Sequence, residues 1–299
     1  MSLISFVKIR KGTISSFKEA IIDSLDLIDY SFVRGTKNVV IKPNLCYYWD
    51  HTTGQTTDPR FAAALIQVIR ENLSSRTNIS IVESDASAMK CKYAFQILGY
   101  TKISQDYGVK LVNLSEDLTK TIEVCAGDYK LKLQMPQTIE NADLKINTAK
   151  VKYGPPQVKI TCALKNIFGC NPYPEKFRYH SKLGEVIVAI NKAMKFDLYI
   201  IGDNIASGIE PRKLGLVMAS RDPVAIDAAA AKIVGVNPKR LGYLKLAAKE
   251  GLGTMNFIQK GVPLNYFKWR YPRKTVRAKI MKHAYDLIVT LGLNKKLGL

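Results

Sequence analysis

The chain has 299 residues, 47% of them hydrophobic and 23% charged, which is typical of a globular protein with a substantial core. Its apolar runs are shorter than the roughly 20 residues of a membrane-spanning helix, and no leader pattern begins the sequence. We therefore expect neither a transmembrane helix nor a signal peptide, and predict a cytoplasmic protein. The formal net charge of +20 favours an acidic partner, such as a phosphorylated small molecule, an anionic membrane or nucleic acid.

Strand and helix patterns alternate through the first half of the chain. Val39-Val40-Ile41 is short, β-branched and unbroken, as in a parallel strand that is buried on both faces. Asp58 followed by Pro59 is typical of an N-cap and the first residue of a helix. The predicted elements are strand 3–9, helix 18–27 with its start signal at Ser15 and Ser16, strand 39–41, a helix from 59, strand 79–82, helix 91–98, strand 109–114 and a hairpin within 121–135.

The second half continues the same alternation. Asp222-Pro223 repeats the pattern of an N-cap followed by proline, and Leu198 to Ile201 predicts another buried strand. The class is therefore α/β, with a largely parallel sheet flanked by helices, for which two Rossmann-like lobes are one arrangement. The predicted elements are strand 143–147, helix 183–194, strand 198–201, strand 216–220, helix 223–234 and helix 241–250.

We predict an N-terminal α/β lobe (1–142), a C-terminal α/β lobe (143–262) and a basic amphipathic tail (263–299). From Lys268 onward the tail carries nine Lys or Arg residues against one acid, Asp286. Its apolar stripe at helical spacing predicts a helix that docks on its own domain, lies on an anionic membrane, or contacts nucleic acid or a protein. Nucleic acid is the least favoured partner, because no helix-turn-helix, RNA-recognition or zinc-finger pattern is present.

Polar residues follow the predicted strands at their carboxyl ends, where ligands bind in open α/β sheets. Lys42 and Asn44 flank Pro43 at the end of the second strand, where they either bind an oxyanion or are a solvated lysine and a turn-capping asparagine. Asp203 follows strand 198–201, where it either caps a loop or holds a ligand hydroxyl. His51, in a polar loop, is either an acid–base group or solvated surface.

The segment from Thr161 to Gly169, continuing through a proline-rich turn to His180, has the composition of a site. Lys165 and Asn166 lie in apolar sequence, which predicts a partly buried ammonium with a lowered pKa, as in catalytic or Schiff-base lysines. Since His180 is a candidate acid–base group, we predict Lys165 and His180 as catalytic residues in one cleft.

These ordered motifs resemble the domain-of-unknown-function 362 family over roughly residues 38 to 253. Members occur in bacteria and archaea, are often fused to ferredoxin-like iron–sulfur modules and have no generally assigned activity. The motifs are Val40-Ile41-Lys42-Pro43-Asn44, Thr57-Asp58-Pro59, Ala163-Leu164-Lys165-Asn166-Ile167-Phe168-Gly169, His180, Ile201-Gly202-Asp203, Met218-Ala219-Ser220-Arg221-Asp222-Pro223-Val224-Ala225-Ile226-Asp227 and Gly251-Leu252-Gly253.

The chain departs from that family in two ways. Members often have a histidine shortly before the Leu-Lys-Asn motif, where this chain has Lys150-Val151-Lys152. The five cysteines, at 46, 91, 125, 162 and 170, contain no Cys-x-x-Cys pair, so the chain carries no iron–sulfur motif. The resemblance therefore implies an iron–sulfur partner protein if electron transfer is involved.

A fainter similarity, at the level of the fold, is to the N-terminal domain of nickel-pincer lactate racemases. It implies that Lys165 anchors a cofactor, that His180 is a metal ligand or acid–base group, and that Lys42 and the Thr56-Thr57 loop bind a phosphate. The predicted cofactor-binding residues are Lys42, Asn44, Thr56, Thr57, Asn166 and Asp203.

Two functions follow from these observations. The leading hypothesis is an enzyme that binds an anionic small molecule or a phosphorylated cofactor at the carboxyl ends of the strands. The alternative is a non-catalytic accessory protein that docks on an iron–sulfur redox partner or an anionic surface through residues 263–299. The cofactor stays open, between a bound metal and a phosphorylated group.

Overall fold

The computed structural model describes residues 1–208 and 210–272, in which strands and helices alternate. The strands are β1 Ser2–Lys8, β2 Asn38–Pro43, β3 Asn78–Glu83, β4 Lys110–Asn113, β5 Thr119–Ala126, β6 Tyr129–Pro136, β7 Leu144–Thr148, β8 Lys152–Tyr153, β9 Ile160–Thr161, β10 Leu198–Ala206, β11 Arg212–Ser220 and β12 Phe257–Gly261. The α-helices are α1 Ile14–Asp26, α2 Pro59–Asn72, α3 Cys91–Ile97, α4 Tyr100–Tyr107, α5 Gln137–Glu140, α6 Ala163–Ile167, α7 Leu183–Met194, α8 Pro223–Ile233, α9 Gly242–Lys249 and α10 Leu264–Arg270.

Eight strands form one sheet in the order β12-β1-β11-β10-β7-β2-β3-β4. Within this part of the chain β11 is antiparallel to both β1 and β10, and the remaining neighbours pair in parallel. The predicted class, α/β with a largely parallel sheet, is confirmed. Strands of both predicted lobes share this sheet, with β7 between β2 and β10, and the division near residue 142 stays a prediction.

Helices cover both faces of the sheet. Helices α1 to α4 pack on one face, while α6 to α10 and the β5–β6 hairpin pack on the other. Val40 therefore contributes to one hydrophobic core and Ile41 to the other. This two-sided burial is the reason that β2 is a continuous apolar run in the sequence.

The N-caps predicted before the prolines are confirmed. The Asp58 carboxylate accepts a hydrogen bond from the Arg60 amide (2.9 Å), and that of Asp222 accepts one from the Ala225 amide (2.9 Å). The start predicted for the first helix is wrong, because the Thr13 hydroxyl caps α1. Helix α4 and strand β12 had no clear sequence signal.

The beginning of the predicted tail docks on the sheet. Phe267, on α10, is fully buried and stacks on Phe6 of β1 with 6.4 Å between the ring centroids. The Tyr271 hydroxyl donates to the carbonyl of Val151 (2.9 Å). The amphipathic helix predicted beyond residue 272 lies outside the described residues. Within the described ranges, each helix is too short or too polar to cross a membrane.

Gly202 shows how closely this core is packed. A methyl group on Gly202 would lie 2.6 Å from the Phe61 ring carbons Cδ2 and Cε2. We predict that Gly202→Ala lowers the free energy of unfolding by about 1–3 kcal/mol, since overpacking forces the neighbouring side chain from its rotamer. Urea denaturation measures the change.

The matched control is Gly242→Ala, because no heavy atom lies within 4 Å of the added methyl group. Gly242 begins α9, where alanine is the better helix former, so this variant is expected to be neutral or slightly stabilising. Equal stability of the two variants would contradict the packing explanation.

Candidate functional site

A cleft of about 330 Å³ opens at the carboxyl ends of β2 and β3. Lys42, near the end of β2, and Glu83, the last residue of β3, line it. This edge of a parallel sheet is where ligands bind in open α/β folds. Its other walls include Asn44, Cys46, Tyr47, Gln55, Lys152, Lys165, Asn166, Phe168, Gly169, Lys176, Phe177 and His180.

The charge of the cleft is strongly unequal. Of the described residues that line it, four are lysines and one, Glu83, is acidic. The lysines come from separate elements: Lys42 from β2, Lys152 from β8, Lys165 from α6, and Lys176 from a 3₁₀ segment, Lys176–Lys182. The fold thus concentrates positive charge in one cavity.

Lys42 and Glu83 form a buried ion pair on neighbouring strands. The Lys42 Nζ lies 2.7 Å from Glu83 Oε2 and also donates to the Pro43 carbonyl at 2.7 Å. Gly169 lies against the pair, and a methyl group there would be 3.1 Å from both Glu83 Oε1 and Lys42 Nζ. This close approach explains why glycine follows the Leu-Lys-Asn segment.

Two further lysines have neutral hydrogen-bond partners. The Lys176 Nζ donates to the Ser84 hydroxyl (2.5 Å), and the Lys152 Nζ donates to Asn44 Oδ1 and the Gln55 carbonyl, both at 2.8 Å. Burial lowers the pKa of Lys176 to about 8, with Lys42 adding to the effect and Glu83 opposing it. Burial also lowers the pKa of Lys152.

Lys165 differs from the other three lysines in its contacts. Within the described structure its ammonium has no hydrogen-bond or ion-pair partner, and its Nζ lies 4.4 Å from the centroid of the Phe168 ring. Burial, followed by the charges of Lys176 and Lys152, lowers the pKa of Lys165 to about 8. An amine with such a pKa exchanges protons near neutral pH.

His180 lies in the same cleft. Its ring packs against Phe177 with 5.0 Å between the centroids. Burial, together with the nearby charge of Lys165, lowers the pKa of His180 below its usual value of 6.5. The two residues predicted as catalytic are therefore neighbours in space.

The two predicted asparagines hold the cleft together. The Asn166 Nδ2 donates to the Lys42 carbonyl (3.1 Å) and to Asn147 Oδ1 (2.8 Å), and its Oδ1 accepts from Asn44 Nδ2 (2.9 Å). These bonds join α6 to β2 and β7. Both Asn44 and Asn166 line the cavity, but their amides are already engaged with protein groups.

The two predicted phosphate-binding threonines lie behind the cleft wall. The Thr57 hydroxyl donates to the Thr148 carbonyl (2.7 Å) and accepts from the Asn44 amide (2.9 Å). The Thr56 hydroxyl donates to the Trp49 carbonyl (2.8 Å). Both threonines are buried and do not line the cavity, so they fix the loop that carries Asn44.

Asp203 is likewise not brought to the cleft. It is fully buried in β10, forms an ion pair with Lys150 and accepts a hydrogen bond from the Val151 amide (3.0 Å). Burial raises the pKa of Asp203, and Lys150 opposes that change. Its contacts hold the segment that leads into Lys152.

His51 and His180, the histidines of the described ranges, do not have the surroundings of a metal site. No group of three or more His, Cys, Asp or Glu that would hold a metal occurs among the described residues. His180 faces the cation of Lys165, and His51 lies apart, next to Asp50 and Arg60. The residues present do not fit a metal, and its binding at His180 stays a prediction from the resemblance.

Sequence reasoning missed Lys152 and Lys176 as cleft residues. Lys152 lies in the segment where the family resemblance leads one to expect a histidine, and that position could have predicted a cleft residue. Lys176 follows a proline-rich turn, where a lysine is normally solvated, so nothing in the sequence distinguished it. Glu83 is the last residue of a buried strand, and a polar residue at that position could have been predicted to line the cleft.

A buried carboxyl group supports the start of α6. Asp227, on α8, accepts hydrogen bonds from the Leu164 amide (3.3 Å) and the Tyr243 hydroxyl (3.0 Å). Burial raises the pKa of Asp227 to about 7, against the stabilising effect of these hydrogen bonds on the ionised form. Asp227 therefore positions the helix that carries Lys165.

We predict that Asp227 makes the stability of the protein pH-dependent. The folded protein binds this proton up to about pH 7, whereas the unfolded chain releases it near pH 4, so stability falls as the pH rises between these values. Between pH 6 and 8 the loss from this group is about 1.4 kcal/mol. Urea unfolding at both values measures it.

The matched variant is Asp227→Asn, which keeps the size of the side chain and one accepting oxygen but cannot ionise. The unfolding free energy of the native protein, relative to this variant, should fall between pH 6 and 8. A difference that stays constant would contradict the raised pKa.

Comparison with known proteins shows the family of this chain. Residues 39–232 match the sequence profile of a family described as "Domain of unknown function (DUF362)". A thylakoid-associated protein of Synechocystis sp. is 27% identical over 237 residues, covering 75% of this chain and 70% of that protein. The lactate racemase apoprotein of Thermoanaerobacterium thermosaccharolyticum aligns over 78% of this chain with a TM-score of 0.46 and 13% identity. This chain spans 57% of the racemase chain.

Proposed function

Since this chain belongs to the DUF362 family, whose description names no activity, we propose its function from the cleft. The cleft is the active site of an enzyme that binds an anionic small molecule or a phosphorylated cofactor. The observation that carries this proposal is the convergence of four lysines on one cavity with a single carboxylate among its described lining residues.

Electrostatics favour an anion in this cavity. Glu83 is already paired with Lys42, so the charges of Lys152, Lys165 and Lys176 have no carboxylate of their own in the cavity lining. Like charges several ångströms apart in a partly buried site repel by roughly 2–4 kcal/mol per pair. An entering carboxylate, phosphate or sulfate replaces this repulsion with attraction.

Lys165 is the residue best placed to contact the anion. Lys42, Lys152 and Lys176 each donate to a protein oxygen, whereas the described residues offer the Lys165 ammonium only the face of an aromatic ring. An incoming anion would give Lys165 its first charge-assisted hydrogen bond. The volume of about 330 Å³ suits a small molecule.

Two neighbouring groups that titrate near neutrality support catalysis in addition to binding. The pKa of Lys165 is lowered to about 8, and that of His180 is lowered from 6.5. Groups of this kind transfer protons efficiently near neutral pH. Lys165 and His180 therefore act as the acid–base pair of the proposed reaction.

We expect Lys165→Met to weaken the binding of sulfate, used as a simple dianion, by about 10- to 100-fold. The variant removes one charge-assisted hydrogen bond, which contributes roughly 1.5–3 kcal/mol. Isothermal titration calorimetry measures the affinity, and thermal unfolding checks that the variant is folded.

The control is Lys102→Met, because the Lys102 side chain is 77% exposed on α4, away from the cleft. It should leave sulfate binding unchanged. If the native protein does not bind sulfate, or if the two variants lose affinity equally, anion binding in the cleft is wrong.

Sulfate affinity should also depend on pH. In the free protein Lys165 and Lys176 lose their protons as the pH passes about 8, and a bound anion stabilises the protonated forms. Affinity is therefore highest below pH 8 and falls above it, by about 10-fold per lysine at pH 9. The charged and titratable groups that face Lys165 are Lys176, Lys152, Lys42, Cys46 and His180.

Titrations at pH 7 and pH 9 in two buffers of different ionisation enthalpy measure both the affinity and the proton uptake. Sulfate is suitable because its own charge is constant in this range. Binding without proton uptake at pH 9 would contradict the lowered pKa values.

The accessory role, in which residues 263–299 dock on an iron–sulfur partner or an anionic membrane, stays a prediction. Most of that segment lies outside the described residues. The thylakoid association of the Synechocystis relative is a property of that protein, and a cytoplasmic location for this chain is part of our proposal.

A further inference from the structure

We propose that Lys165 forms an imine with a small aldehyde or ketone that also carries a carboxylate or phosphate group. This inference rests on the proposed function and names the class of substrate that the same cleft takes. It starts from the difference between Lys165 and the three other lysines of the cavity.

The contacts of the four lysines divide their roles. Lys42, Lys152 and Lys176 donate hydrogen bonds to protein oxygens, which fix the position of each side-chain nitrogen. Lys165 has no acceptor among the described residues, and the Phe168 ring covers its Nζ at 4.4 Å from the centroid. The Lys165 amine is therefore not held by a protein acceptor and can turn towards a bound carbonyl carbon, whereas the other three amines are held in place.

The protonation of Lys165 suits a nucleophile. With a pKa of about 8, roughly a tenth of Lys165 is neutral at pH 7. For an ordinary lysine with a pKa near 10.4 the neutral fraction is roughly one part in 2,500. The neutral amine is the form that attacks a carbonyl carbon, so Lys165 should react faster than the surface lysines.

The fixed cations supply the second half of the recognition. Lys176 and Lys152 are the charges that act most strongly on Lys165, so an anionic group bound between them lies next to its amine. A carbonyl in the same small molecule is then held within reach of that amine, which raises its effective concentration. The anionic group also balances the positive charge of the iminium product.

Each step balances in protons and electrons. The nitrogen lone pair attacks the carbonyl carbon, the C–N bond forms and the carbonyl π electrons move to oxygen. His180, neutral at pH 7 because its pKa is below 6.5, takes the proton that the nitrogen loses. The imidazolium returns that proton to the alkoxide, which gives the neutral carbinolamine. A second proton, supplied from solvent, converts the carbinolamine hydroxyl to water, which leaves as the nitrogen lone pair forms the C=N bond of the iminium ion. No oxidant or reductant is needed.

Reductive trapping tests the imine on the full chain. The protein is incubated with pyruvate or dihydroxyacetone phosphate and sodium cyanoborohydride, and the adducts are located by peptide mass spectrometry. We expect Lys165 to be modified about 100-fold faster than the exposed Lys102. Acetone, which has a carbonyl but no anionic group, should react far more slowly at Lys165, and excess sulfate should protect this residue from the two anionic probes.

Lys165→Arg separates this inference from the proposed function. Arginine keeps the charge and cannot form the imine, so sulfate binding should persist within a few-fold while the rapid adduct is lost. If the native protein binds sulfate but its adducts are spread evenly over surface lysines, the imine is wrong and the anion site stands. If it neither binds sulfate nor forms the rapid adduct, both proposals fail.

Discussion

The ion pair between Lys42 and Glu83 is the contact on which the cleft depends. It joins the carboxyl ends of β2 and β3 and is almost completely excluded from solvent. Removing one member of such a pair leaves a buried charge without compensation, which typically costs about 3–5 kcal/mol. The backbone of Gly169 packs directly on it, and the Gly169 carbonyl accepts from Ser84, the partner of Lys176.

The pair also determines which cations remain available. Because Glu83 is engaged with Lys42, the remaining lysines of the cleft have no carboxylate of their own among its described lining residues. Such crowding destabilises the empty protein, which is common where a site is built for binding instead of stability. The asparagine contacts between α6, β2 and β7 keep the elements together despite this repulsion.

Much of the fold was predictable because local signals agreed with tertiary structure. At Asp58-Pro59 and Asp222-Pro223 the capping carboxylate accepts a hydrogen bond from an amide only two or three residues later, so the local sequence is sufficient to predict the cap. The cleft was predictable only in part. Strand ends and local composition were enough to predict that Lys42, Lys165 and His180 line the cleft. Thr57 and Asp203 have the same sequence signals but do not line it, because their polar atoms bond to protein groups far away in the sequence. Lys176 reaches the cavity through a turn whose path no local pattern encodes.

The place of β1 in the sheet constrains how the protein is made. This strand pairs with β11 on one side and β12 on the other, so its hydrogen-bonding partners lie more than 200 residues later in the sequence. On the ribosome, β1 has neither native neighbour until more than 200 further residues have been translated. Ile4 and Phe6, buried in the folded protein, belong to a strand that stays unpaired during this time, which makes the nascent β1 segment a natural client for chaperones.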